Sequence, residues 1–186
     1  MLKFFKELTG HRTHRCPVFM KKRNFFYIFI VIFLFSLSFI PLHVLQLMAL
    51  REGEIVSLHI VRPNDRFAIK YIHSVEHCPV WDFFVVDEMF RIVLYETTFS
   101  SCNTGLPCAP SGEEIFSHEK GYFRISKRHR VSPELHLWVD EKYDNTLKIG
   151  EHSLKLFSLA GNTLLKLNIR KVSLLEFVYL KVKYLK

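Results

Sequence analysis

Acidic residues are almost missing from the first fifty positions, where Glu7 stands alone against Lys3, Lys6, Arg12, Arg15, Lys21, Lys22 and Arg23. The formal net charge of +8 is therefore concentrated at one end, because the remaining residues carry 19 bases and 17 acids. A nearly neutral body without a basic stripe or interleaved aromatics lacks the electrostatic footprint of a nucleic-acid binder, so no nucleic-acid partner is expected. The chain also lacks internal repeats and any convincing amphipathic helix of useful length, which argues against solenoids and helical bundles. Its length allows one ordinary domain and a short appendage.

After the basic arm the chain turns apolar. The run Phe25-Phe26-Tyr27-Ile28-Phe29-Ile30-Val31-Ile32-Phe33-Leu34-Phe35 continues to Leu50, interrupted by Ser36, Ser38, Pro41, His43 and Gln46. A helix needs roughly 20 apolar residues to cross a bilayer core of about 30 Å, so residues 24–50 are expected to form one transmembrane signal anchor. Residues 1–23 are its basic cytoplasmic arm. Lys21, Lys22 and Arg23 at the N-terminal end put that end in the cytoplasm and residues 51–186 outside, as a single-pass protein of the cell membrane. A cleavable signal peptide fits less well: Leu47, not a small residue, lies two positions before Ala49, and the apolar run is long for one.

Beyond the anchor the pattern becomes that of strands. Phe67, Ile69, Tyr71, His73 and Val75 fall on one face and Ala68, Lys70, Ile72 and Ser74 on the other. Segments at 80–86 and 89–99 come next in meander order, and others are expected at 58–61, 122–126, 135–139, 146–149, 153–157 and 164–169. Gly150-Glu151 reads as a hairpin turn. Residues 100–120, with Gly105, Pro107, Pro110 and Gly112, read as the longest loop. The expected fold is all-β, an antiparallel sandwich or barrel over residues 51–170 preceded by one N-terminal transmembrane helix. Residues 171–186 form an apolar and basic tail too short for a second crossing: a last strand, a frayed end, or a short helix on the membrane or on the domain.

Chemistry gathers between Phe67 and Pro107. His73-Ser74-Val75-Glu76-His77 matches the H-x-x-E-H pattern of inverted zinc peptidases. That chemistry needs a helix, whereas on a strand the two imidazoles stand roughly 13 Å apart, so no metal site is assigned. A four-residue connection at 76–79 would set Val75 against Val80 and His73 against Asp82, giving a His–carboxylate pair on one face. Such a pair could orient a general base, hold one side of a metal site or satisfy a buried imidazole. Ser74 points to the opposite face from His73 and forms no dyad with it. Glu96 on the third strand could approach either this pair or the Lys70–Ser74 face. Cys16 lies on the cytoplasmic side; Cys78, Cys102 and Cys108 lie where disulfides form, and Cys102 and Cys108 flank the Gly105 turn and could close it. The partner choice among the three stays open, and the Cys-x5-Cys spacing is not that of common zinc modules.

The strings Asp65-Arg66-Phe67, Tyr71-Ile72-His73-Ser74-Val75-Glu76, Pro79-Val80-Trp81-Asp82, Glu96-Thr97-Thr98-Phe99 and Gly105-Leu106-Pro107 together resemble the bacterial family catalogued as domain of unknown function 1850. The similarity continues through Gly121-Tyr122-Phe123, Pro133-Glu134-Leu135 and Leu159-Ala160-Gly161. Asn103-Thr104-Gly105 departs from the usual Gly-Ala-Gly, and Asp82 from the usual Glu. The family has no established activity, and no cofactor is expected; what the resemblance implies is association with TAXI-class tripartite ATP-independent (TRAP) solute uptake systems, with the permease or the solute receptor as partner. On this reading the chain is an accessory or interaction module, more a binder than an enzyme, with His73, Ser74, Glu76, Asp82, Glu96, Gly105, Leu106 and Pro107 as its candidate binding residues. The rivals are an extracytoplasmic hydrolase-like enzyme or a small-ligand binding domain, each using His73 and Asp82.

Overall fold

The structure is a computed structural model that describes residues 22–184 apart from 103–105 and 107–108. The chain divides into two compact units, residues 1–36 and 37–186.

The described part of the first unit, residues 22–36, is all but the last residue of helix α1 (Lys22–Leu37). Phe25, Phe26, Tyr27, Val31 and Phe35 point to all sides of it and are each more than half exposed. A helix apolar all round belongs inside an apolar environment. Among the described residues no helix is long and apolar enough to cross a membrane. The 16 residues of α1 reach about 24 Å at roughly 1.5 Å per residue.

The expectation that the apolar run continues as one anchor to Leu50 is not met. Proline disfavours helical backbone in the residue before it, and after Leu37 the chain turns and Pro41–Ala49 becomes strand β1. The rest of the second unit comprises β2 (Glu54–Ile60), β3 (Arg66–Ile72), β4 (Pro79–Val86), β5 (Ile92–Phe99), β6 (Ile115–Glu119), β7 (Tyr122–Ser126), β8 (Arg130–Ser132), β9 (Glu134–Val139), β10 (Thr146–Ile149), β11 (His152–Lys155), helix α2 (Leu156–Ala160), β12 (Thr163–Ser173) and helix α3 (Leu174–Tyr184).

These strands form two antiparallel sheets, one ordered β2-β1-β12-β9 and the other β11-β10-β3-β4-β5-β7-β6, with β8 also paired to β5. Leu45, Leu47, Leu165 and Leu167 from the first pack against Phe67, Ile69, Phe84 and Leu147 from the second. The all-β fold is thus a two-sheet sandwich, and its first sheet begins at Pro41, ahead of the expected domain start at 51.

Both faces of β1 are buried, which explains why it resembles a membrane segment in sequence. Leu45, Leu47 and Ala49 face the other sheet, while Val44 joins Ile55, Leu58 and Val172 on the outer face beneath Phe177 and Leu180 of α3. A strand covered on both sides reads as a continuous apolar run. Helix α3 is set by a capping arrangement: Glu176 N–H donates to Ser173 Oγ at 3.1 Å, in a Ser-x-x-Glu spacing typical of helix starts. Arg170 then bridges sheet and helix, donating to Gln46 Oε1 at 3.0 Å and Glu176 Oε1 at 3.1 Å.

The expected loop at 100–120 contains a strand, β6. It pairs with β7 through the two-residue turn Lys120-Gly121, whose φ values of 51° and 81° match the left-handed positions of a tight hairpin.

Candidate functional site

Among the apolar inward residues Val80, Phe84, Val86, Ile92 and Phe99 of β4 and β5, two polar ones stand side by side, Asp82 and Thr97. Strand β4 sets Asp82 directly opposite Thr97 of β5, and opposite Ile69 of β3 on its other side. One pair further along, the β4–β5 register shifts between Phe83 and Phe84, so Glu96 faces Phe83, Leu94 faces Phe84, and Tyr95 is the extra residue of a bulge. The bulge also divides the other edge of β5, which pairs with β7 through Thr97–Phe99 and with β8 through Ile92–Leu94.

Arg128 enters through that gap. Lys127 adopts a left-handed φ of 56°, and the Arg128 N–H donates to the bulged Tyr95 carbonyl at 3.1 Å. The side chain, 5% exposed, is thereby led under the sheet. Arg128 Nη1 donates to Thr97 Oγ1 at 2.5 Å, and Thr97 Oγ1 donates to Asp82 Oδ1 at 2.7 Å. Arg128 Nε meets Glu114 Oε1 at 3.1 Å, and Arg130 Nη2 reaches the same oxygen at 3.2 Å. One hydroxyl therefore links a guanidinium to a carboxyl group.

Burial pushes the Asp82 carboxyl above its ordinary range, against the opposing effects of the Thr97 hydrogen bond, the Arg128 charge and the Tyr71 hydroxyl. Tyr71 is raised for the same reason, with the adjacent Asp82 adding to the effect. Burial also acts to raise Glu114, but the Ser111 N–H and the two guanidiniums outweigh it and hold the carboxyl below its usual range. The chain thus pairs a carboxylate kept ionised with a second carboxyl biased toward its neutral form.

An open cleft of about 440 Å³ lies over this relay, lined by Tyr71, Asp82, Thr97, Arg128 and Arg130, with Leu94 and Leu106 as its apolar walls. The relay separates the main core from a smaller apolar group formed by Cys78, Val80, Phe99 and Ile125.

The expected His73–Asp82 pair is not formed. Tyr71, not Val75, lies opposite Val80, which moves the register four residues from the expected one. The connection is longer than four residues: His73 N–H donates to the Cys78 carbonyl at 2.9 Å, and His73 Nδ1 accepts from the Glu76 N–H at 3.2 Å. His77 turns the chain with φ 49°. His73 and Ser74 instead line a second cleft of about 340 Å³ with Leu137, Trp138, Tyr143 and Asn145. Tyr71 is shared by both clefts.

Glu76 accepts from Ser101 Oγ at 2.6 Å. Glu96, whose facing the sequence leaves open, lies on the face of the sheet opposite Asp82, where it pairs with Arg124 at 3.4 Å. Leu106 reaches the Asp82 cleft; Gly105 and Pro107 lie outside the described residues. Cys102 is disulfide-bonded and Cys78 is a free buried thiol, while Cys108 lies outside the described residues. Among the described residues no three His, Cys, Asp or Glu side chains converge to hold a metal ion.

Sequence reasoning missed Tyr71, Thr97 and Arg128 as site residues. Tyr71 and Thr97 do share the inward parity of Asp82, a signal available from alternation. Arg128 gave none, because Lys127-Arg128-His129-Arg130 reads as a solvated charge run.

A family model described as Domain of unknown function (DUF1850) matches residues 67–156. That segment runs from β3 to α2 and contains every residue of the relay, whereas β1, β2, β12 and α3 lie outside it. No curated protein and no solved structure matches the chain.

Proposed function

Residues 67–156 belong to the family of domain of unknown function DUF1850, and from that premise we propose that the chain is a membrane-tethered recognition module. In this reading α1 is the core of a single-pass anchor with the N-terminus in the cytoplasm, and the sandwich stands outside. Its exposed, all-round apolar surface supports a lipid environment. The module serves as an accessory of a solute uptake system of the TAXI-class TRAP type, whose permease or solute receptor is its partner; this part rests on the family resemblance.

The observation that carries the binding role is the cleft over Asp82, Thr97 and Arg128. Two guanidiniums line it, and the carboxyl on its floor is biased toward the neutral form. Arginine in a fixed orientation suits bidentate recognition of a carboxylate. The cleft therefore fits an acidic side chain of the partner. A small free carboxylic acid is the second reading, favoured by the same two guanidiniums.

The test is purification of the full chain from its native membrane in detergent, with mass spectrometry of co-purifying proteins. Arg130→Gln is the informative variant, because Arg130 lines the cleft with a half-exposed side chain and the neutral amide removes its charge without setting a second anion against Glu114, which keeps Arg128 as its partner. Recovery of a permease or receptor with the wild type and its loss with Arg130→Gln supports the proposal. A chain that purifies alone, yet melts higher in millimolar succinate, supports the small-acid reading. No partner and no response to succinate rejects both.

A further inference from the structure

Helix α3 has two apolar faces. Phe177, Leu180 and Tyr184 pack onto the outer face of the smaller sheet with Val44, Ile55, Leu58 and Val172. Leu175, Val178, Tyr179 and Val182 keep the spacing i, i+3, i+4, i+7, which places them together on one helix face. That face is turned away from the sheet, and its members are 37%, 51%, 59% and 71% exposed. On a helix packed by one side only, this outer face would ordinarily be polar.

The charges are arranged around the stripe. Lys181 and Lys183 flank it, with Lys181 Nζ 5.3 Å from the Phe177 ring centroid and Lys183 Nζ 5.7 Å from that of Tyr179. The helix's one acid, Glu176, is tied to Arg170 at 3.1 Å. The stripe is thus apolar with a basic margin, an arrangement suited to the boundary between anionic headgroups and acyl chains.

Its place in the fold points to the same occupant. The Leu174 N–H at the start of α3 donates to the Ile40 carbonyl at 3.1 Å, so α3 begins beside the residues through which the chain enters the sandwich after α1. Phe39 and Ile40 there are 70% and 44% exposed, and they extend the apolar surface.

We propose that the outer face of α3, with Phe39 and Ile40, lies on the surface of a bilayer rich in anionic headgroups and sets the orientation of the sandwich against it. The proposal rests on the reading of α1 as the tether. Tether and stripe make separate contributions, so they can be tested apart.

The experiment uses the full chain reconstituted into phosphatidylglycerol vesicles or into phosphatidylcholine vesicles. Trypsin cleavage after Lys181 and Lys183 is monitored by mass spectrometry. In phosphatidylglycerol the wild type should be protected, and Val178→Glu/Val182→Glu should be cut about tenfold faster as the stripe leaves the lipid. Val178→Leu/Val182→Leu should stay protected, and the unfolding midpoint of the sandwich should be the same in all three. Equal cleavage of wild type and the glutamate variant overturns the proposal. Equal protection in both lipids overturns the anionic surface, and protection that rises with protein-to-lipid ratio assigns the stripe to a second copy instead. An alkaline carbonate wash reports on α1 separately: release of the chain defeats the tether, while lipid-dependent protection on re-addition would still uphold the role of α3.

Discussion

Leu45→Ala separates a strand from a membrane helix in the 41–49 segment. Leu45 is 1% exposed and packs between the two sheets from the middle of β1. Truncation removes most of a buried isobutyl group and leaves a cavity that β-ladders on both sides hold open, so the cost should fall near the middle of the roughly 2–5 kcal/mol observed for such changes. For a unit of this size each kcal/mol lowers the midpoint by about 2–4 °C, and a loss of about 3 kcal/mol predicts a fall of roughly 6–12 °C. Leu34→Ala in α1 provides the comparison, since Leu34 is 47% exposed and belongs to the first unit. Its effect on the same transition should be under about 1 °C. Thermal unfolding of the full chain in mild detergent, monitored by the fluorescence of Trp81 and Trp138, measures both. If Leu45→Ala leaves the midpoint within about 1 °C of wild type, then β1 is not part of the sandwich and the reasoning fails.

The relay yields two further predictions. Thr97→Val keeps the side-chain shape but removes the oxygen that donates to Asp82 and accepts from Arg128, so stability should fall by about 1–3 kcal/mol, with Thr97→Ser recovering most of it, as read by urea unfolding. Asp82→Asn should alter the pH dependence with a definite sign. The folded carboxyl is raised above its ordinary value of 3.8, so between that value and the raised one the native state holds more protons than the unfolded state, and wild-type stability falls as pH rises. The amide of the variant does not titrate. Its stability relative to wild type should therefore increase with pH across this window and level off above it; a relative stability that is flat, or that falls with rising pH, refutes the assigned environment.

Alternation in sequence located the half-covered strands well, because one face of each meets the core and the other meets water. Tyr122–Ser126 and Thr146–Ile149 have the bounds expected from pattern alone. It failed where that contrast is absent. Strand β1 is covered on one face by the facing sheet and on the other by α3, so Leu42 to Ala49 merged with the apolar run before it. Strand β6 failed for the opposite reason: none of its residues is buried, which leaves little pattern to read. Helix α3 carries apolar residues on two faces, which hides the single stripe that marks an amphipathic helix. Asp82 was legible as a site residue, yet its partner was not, since register depended on a turn held by His73, Glu76, His77 and Cys78. A connection longer by a few residues was enough to replace His73 by Tyr71 as the nearby inward side chain of β3.

The Asp82–Thr97–Arg128 relay is difficult to explain as a device for stability. Removing a guanidinium from water costs several kcal/mol even after relaxation, and apolar residues of similar volume in such a position are often neutral or more stable. The chain had that option, because the neighbouring inward positions on the same strands are Val80, Phe84 and Phe99. Instead it adds a β-bulge at Tyr95, a left-handed Lys127 and a division of the β5 edge between β7 and β8, all of which bring Arg128 to Thr97. Local departures of this kind that agree on one target, rather than scatter, are a mark of sites kept for binding or chemistry. Here the target is the floor of a cleft, and the group left facing outward beside it is a second arginine. The fold thus accepts a costly buried guanidinium on the floor of a cleft, which is the physical reason for assigning the proposed recognition there and not to the His73 turn.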